Sequence, residues 1–203
     1  MNPRIRLSII LISAGFVLAV LPLKYTRSLG GSPAKLLSAS LNDSLAISAD
    51  QLARFISLED KDIHLVDLRD KADFMITGIP GAVNVPYHEI LEKDPSSFLL
   101  AGNARNIFYS SDDLQPGYAM IIAMGLGYRN SYFLRGGINE WTRVVSDTIY
   151  RGGTITAREN ALFESRIKAG RLYNKLCNLP DSLKIKYLNA MKFNPKKLDG
   201  GCE

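Results

Sequence analysis

"HLVDLRDKADFMITGIPGAVNVPYHEIL", His64 to Leu91, is the stretch whose reading decides the fold. With Ile63 ahead of it, "IHLVDLR" is an apolar, β-rich run that ends in charge, the pattern of a buried strand. "DKADFMI" has the length of a short helix. "GIPGAVNVP", Gly78 to Pro86, is a turn followed by a two-residue strand signal around Val83 and Val85, and "HEIL" starts another helix. The alternation continues outward. Upstream, "ISADQLARFIS" opens with Ser48 as N-cap and spaces Leu52, Phe55 and Ile56 on one helical face. Downstream, Ile107–Tyr109 reads as a strand and Pro116–Met124 as a helix with proline at a tolerated first-turn position. "SYFL" from Ser131 is a strand, and "GGINEWTRVV" from Gly136 is a turn and helix.

Strands separated by helical stretches of about 10–15 residues predict an α/β fold, a parallel sheet with helices on both faces. Ligands of such sheets sit beyond the carboxyl ends of the strands. The loop at one such end, "SSDDLQ" (Ser110, Ser111, Asp112, Asp113, Leu114 and Gln115), is therefore the candidate site. The helix that follows it begins with backbone N–H groups that have no partner inside the helix, which makes the position suited to anions.

Composition bounds the rest. A chain of 203 residues with 46% hydrophobic content buries one core of roughly 100–150 residues and leaves extensions over. The net charge of +5 hides opposite signs. Residues 1–45 carry five Lys/Arg against one acid, 46–147 carry nine against fourteen, and 148–203 carry eleven against five. The basic excess thus lies outside the α/β segment, with no recognition motif to present it, which argues against nucleic-acid binding.

The divisions follow. Residues 1–6 are a basic tail with Arg4 and Arg6, and Leu7 to Leu23 run 17 residues without a charge. At about 1.5 Å per residue this is roughly 25 Å, the short end of a membrane span. It is longer than the apolar region of a cleaved signal, typically about 7–15 residues, so an uncleaved single-pass anchor is expected. The arginine pair at the start places the domain on the extracytoplasmic side. Residues 24–45 are a linker with a Gly30-Gly31-Ser32-Pro33 break, 46–147 the α/β domain, and 148–203 a basic helical extension. In that extension Thr156 and Glu159 form a capping-box pattern, Pro180 separates two helices, and the end is polar and glycine-rich.

Val66-Asp67-Leu68-Arg69, Ile79-Pro80-Gly81-Ala82-Val83-Asn84-Val85-Pro86, Gly127-Tyr128, and Leu134-Arg135-Gly136-Gly137-Ile138 with Trp141 stand in an order that resembles the single-domain rhodanese-like family over roughly residues 46–145. The resemblance implies a parallel sheet flanked by helices. Sulfur-transferring members of that family carry a cysteine directly after the central strand, in a six-residue loop whose amides wrap the persulfide and which usually includes a glycine and an arginine. Alignment on the strand puts Ser110 at the cysteine position, Asp113 at the glycine and Gln115 at the arginine. A serine hydroxyl does not carry a sulfane sulfur, and the Asp112 and Asp113 carboxylates repel thiosulfate.

Other chemistry at the loop finds little support. A nucleophilic Ser110 needs a base, and neither His64 nor His88 is placed to serve. Ser110, Asp112 and Asp113 fall short of a full set of ligands for a hard cation, and neither metal nor cofactor is expected. Asp67 and Arg69 pair with one another or with the amides of the loop they support, or else contact a ligand. Cys177, on a helix, suits a small buried residue. Cys202 follows Gly200-Gly201 and has three readings: incidental, in a disulfide with Cys177 or another chain, or a sulfur-carrying or metal-binding thiol on an arm. Two functions follow. One is a membrane-tethered binding or regulatory module beside a membrane sulfur or redox protein or a sulfur carrier, without loop-cysteine chemistry. The other is a sulfurtransferase or persulfide carrier that uses Cys202.

Overall fold

Five short runs of β-rich sequence pair into one parallel sheet. The computed structural model describes residues 3–20, 42–147 and 156–190, together with 32, 34 and 38. Strands β1 (Ala46–Ile47), β2 (Ile63–Asp67), β3 (Val83–Asn84), β4 (Arg105–Tyr109) and β5 (Ser131–Leu134) lie in the order β1-β5-β4-β2-β3. Every pairing is parallel, and β2 meets β4 in the register Ile63 to Arg105 through Asp67 to Tyr109. β4 is central and its Ile107, Phe108 and Tyr109 are buried. Parallel strands covered on both faces read as near-continuous apolar runs, which is why β2 and β4 were visible in the sequence. β1 was not, because two residues at a sheet edge carry no periodicity.

The helices divide between the faces. α2 (Ala49–Ser57) starts at Ser48, whose hydroxyl and Gln51 form the reciprocal capping box. With α3 (Lys71–Thr77) and α5 (Gly137–Trp141) it packs Leu52, Ala53, Phe74, Ile138 and Trp141 on one side of the sheet. The other side is covered by α4 (Leu114–Gly125) through Ala119, Met120 and Ala123, with Val85, Ile90, Phe98 and Leu99 from the connection that follows β3.

Three local expectations change. α4 begins at Leu114 rather than Pro116, because the Asp112 side chain accepts the Leu114 N–H at 3.0 Å and proline fits anywhere in a first turn. "HEIL" forms only a 3₁₀ turn, Tyr87–Glu89, in a segment closed by Pro86 and Pro95. The helix begun at Gly137 continues as a wider π-helical turn, Thr142–Ser146.

The extension is helical as expected: α6 (Ala157–Cys177) opens with the Thr156/Glu159 capping box, and α7 is Asp181–Ala190. Ala169 and Tyr173 of α6 join the same apolar cluster as Trp141 and Leu52. α6 also approaches the π-helical turn closely, since a Cβ on Gly170 would lie 2.6 Å from the Val145 carbonyl oxygen.

At the N-terminus α1 runs Pro3–Val20. The expected membrane-spanning helix is not found there: among the described residues no helix is long and apolar enough to cross a membrane. α1 spends its first turn on Arg4 and Arg6, and Leu7 to Val20 would rise about 21 Å against a hydrocarbon core of about 30 Å. Leu21, Pro22 and Leu23, the end of the apolar run, lie outside the described residues. Ile5, Ile10, Leu11, Ile12 and Phe16 of α1 are all exposed.

Candidate functional site

The chain leaves β2 toward β3 and leaves β4 toward β5, in opposite directions along the sheet, so the switch point of the topology lies between β2 and β4. That is where a doubly wound sheet opens a crevice. Asp67 to Arg69 border it on one side and Ser110 to Gln115 on the other.

Ser110 is the last buried residue of β4's run, while Ser111 to Gln115 are exposed. Its hydroxyl donates to Gln115 Oε1 at 3.1 Å, and its carbonyl accepts the Ile138 N–H at 2.9 Å. The Gly136-Gly137 turn lies against this backbone. Both glycines have positive φ, 72° and 55°, and a Cβ on Gly137 would fall 2.2 Å from Ser110 O. Asn139 Nδ2 donates to Ser111 O at 2.9 Å.

The two aspartates turn inward on backbone amides. Asp112 Oδ1 accepts the Leu114 N–H, and Asp113 Oδ1 accepts the Gly136 N–H. Pro116, in the first turn, has no N–H to give. The donors that a helix N-terminus offers to an external anion are thus reduced, and those at Leu114 and Gly136 are already taken by the loop's own carboxylates. At a separation of 4 Å in water each carboxylate repels a further negative charge by about 1 kcal/mol, and more where water is displaced. The arrangement favours cationic or neutral visitors.

Asp67 and Arg69 form a buried internal pair. Arg69 Nη2 meets Asp67 Oδ2 at 2.6 Å, Nε meets Oδ1 at 3.1 Å, and Nη1 donates to Thr77 Oγ1 at 2.9 Å. Asn84 Nδ2 holds the Asp67 and Arg69 carbonyls. Burial pulls the Arg69 guanidinium down, but its bonds to Asp67 prevail and hold it above its ordinary pKa. Beneath lies the Tyr109 ring, 5.8 Å from the guanidinium carbon, with its hydroxyl accepting the Ile79 N–H at 3.0 Å. Burial, with the Asp67 charge, pushes the Tyr109 phenol well above its ordinary range. The Asp67 and Arg69 side chains bond to each other, and Arg69 to Thr77, so the pair fixes the β2 side of the crevice.

The remaining candidates lie elsewhere. His64 sits within β2, buried, with Nε2 2.8 Å from Phe98 O. Burial lowers its pKa against the pull of that bond. The His88 side chain is 70% exposed beside Glu89. Cys177 is free and half-buried, and burial raises its thiol pKa, which makes it a poor nucleophile. Cys202 lies outside the described residues. Sequence reasoning missed Asn139 and the Gly136 N–H as loop partners. Their signal was the "GGIN" turn, read only as a turn.

Residues 48–144 match the family model described as a rhodanese-like domain. The chain is 27% identical over 114 residues to a thiosulfate:glutathione sulfurtransferase of Saccharomyces cerevisiae, covering 51% of this chain and 82% of that protein. Among solved structures, a human single-domain sulfurtransferase is 22% identical, with TM-score 0.43, covering 48% of this chain and 95% of its own. A rhodanese-related protein of Thermoplasma volcanium is also 22% identical, with TM-score 0.41, covering 48% of this chain and 90% of its own.

Proposed function

We propose that residues 48–144, which match the rhodanese-like family model, form a rhodanese-like domain that serves as a docking or regulatory module without loop-cysteine chemistry. One observation carries the reading: Ser110 occupies the position after the central strand, and the Asp112 and Asp113 carboxylates sit on the amides nearby. A hydroxyl there, held by Gln115, neither accepts a sulfane sulfur nor meets a base. The module works at a membrane, beside a sulfur or redox protein, with the domain on the extracytoplasmic side. Support comes from the uncharged run 7–23, which continues past α1, and from the exposed apolar side chains of that helix.

A thiosulfate:cyanide transfer assay on the full chain tests the catalytic half. No transfer is expected from the chain as it stands, and turnover that is lost in Ser110→Ala would overturn the proposal. Ser110→Cys alone should remain nearly inactive, because both carboxylates stay in place; robust activity from that single change would show the charge argument to be wrong. Mass mapping after incubation with a persulfide donor reads the Cys202 alternative directly, since sulfur added to Cys202 and lost in Cys202→Ser makes the chain a carrier. For location, membrane pellets washed with alkaline carbonate should retain the protein, and release into the wash argues against anchoring.

A further inference from the structure

The two faces of the sheet are not equally covered. α2, α3 and α5 are overlaid by α6, whose Ala169 and Tyr173 enter their cluster, and Arg166 and Lys168 reach acceptors on the domain at Asp50 and Ser57. On the opposite face α4 has no second layer among the described residues. There Leu114 and Tyr118, four residues apart on one side of α4, are 62% and 52% exposed. Leu91, on the chain that leaves β3, is 74% exposed.

These residues start from one edge of the sheet. The Leu68 N–H donates to Tyr109 O, and Leu68 O accepts the Tyr87 N–H, so the segment that holds Leu91 departs two strands, about 10 Å, from Ser110. The same border is acidic. Asp112 and Asp113 lie at the start of α4, and Glu92 follows Leu91; none of the three has an ion-pair partner among the described residues. Of the nearby cations, Lys93 is held by Glu89 and Arg135, beside Gly136, by Asp43.

From this apolar and acidic combination we infer that the α4 face, with the 110–115 loop at its centre, is the docking surface, and that its occupant is a cationic amphipathic segment of a partner protein. The inference rests on the docking reading above and adds to it the site and the chemistry of the partner. Charge complementarity selects the occupant: the chain's own basic α6 meets the domain's acids on the opposite face through Arg166 and Asp50, and the uncovered face offers the same kind of attraction to a foreign chain. Leu114, Tyr118 and Leu91 supply the apolar contact, and the carboxylates set the sign and orientation.

The test uses the full-length chain and three labelled helical peptides of about 14 residues. One carries Leu and Lys on opposite faces, the second Leu and Glu, and the third Ser and Lys. Anisotropy titrations should show the Leu/Lys peptide at least about tenfold tighter than either other, weakening with salt. Hydrogen exchange should show protection over 111–118 and 87–92. Asp112→Lys should weaken binding about tenfold, and Tyr118→Ser, a change outside the loop's bonding network, should weaken it without altering the fold. Equal binding of the Leu/Glu peptide, no binding at all, or concentration-dependent self-association that protects 111–118 would each overturn the inference. Protection confined to α6 and α7 would overturn it while leaving a docking module standing, whereas sulfur transfer that depends on Ser110 would remove both.

Discussion

Gly137 decides whether the loop can hold its shape. Its φ of 55° is a conformation that side chains other than glycine rarely adopt, and its α-carbon faces Ser110 O at a distance that leaves no room for a methyl. Gly137→Ala should therefore cost about 2–4 kcal/mol in urea unfolding, and the loss should persist with Asp112 and Asp113 both changed to Asn, because the clash is with backbone. His64 sets a different limit. Its pKa is depressed by burial, so the folded state resists protonation while the unfolded chain takes up a proton below about pH 6.5. Stability then falls as pH drops from about 6.5 toward the folded value, with a slope of at most about 1.4 kcal/mol per pH unit. Chemical denaturation at pH 7.5 and 5.5 should show this loss in the native chain and a smaller one in His64→Gln. At this scale the sequence was half legible. The absence of a cysteine at 110 and the Gly136-Gly137 turn could be read, but the destination of each aspartate oxygen depends on which amide the fold brings near. Asp113 meets Gly136, 23 residues away, and no local rule points there.

Among elements, capping chemistry was the clearest signal. Ser48, read as an N-cap, and Thr156 with Glu159, read as a capping box, begin their helices where the pattern says, and the structure adds Gln51 as the partner of Ser48, three residues on. Lys184 shows what such rules cannot reach. It is almost fully buried, and its ammonium donates to Met75 O in the last turn of α3 and to Cys177 O at the end of α6, at 2.8 and 3.1 Å. One cation thus serves the negative ends of two helices and ties α7 to both. Replacing it by methionine keeps most of the volume and leaves two carbonyls without their donor. Lys184→Met should cost about 1–3 kcal/mol and raise hydrogen exchange across Asp181–Ala190, with α4 unchanged. A uniform rise across the whole domain would contradict this local role.

For the molecule as a whole, the opposed charges of domain and extension were visible as counts, and their meaning was not. The basic excess after residue 147 was read only as lying outside the α/β segment. Part of it instead meets the domain itself: Arg166 forks onto Asp50, whose hydrogen bond lifts the guanidinium pKa, and Lys168 reaches the Ser57 carbonyl. The parallel sheet was legible because each buried strand is written in consecutive residues, whereas the docking of α6 depends on small residues, Ala169 and Gly170, that look unremarkable in sequence. Trp141 gives this docking an optical readout. It is the chain's only tryptophan, it is fully buried, and it meets the Tyr173 ring edge-on at 6.2 Å. Its emission therefore responds to the lifting of α6 from the sheet without any label. A chain ending at residue 155 should emit at longer wavelength than the full chain in the same buffer, and an unshifted spectrum would mean that water does not reach the indole when α6 is gone. Any partner that loosens the extension would announce itself as a red shift, and any partner that settles on the α4 face would leave the colour alone.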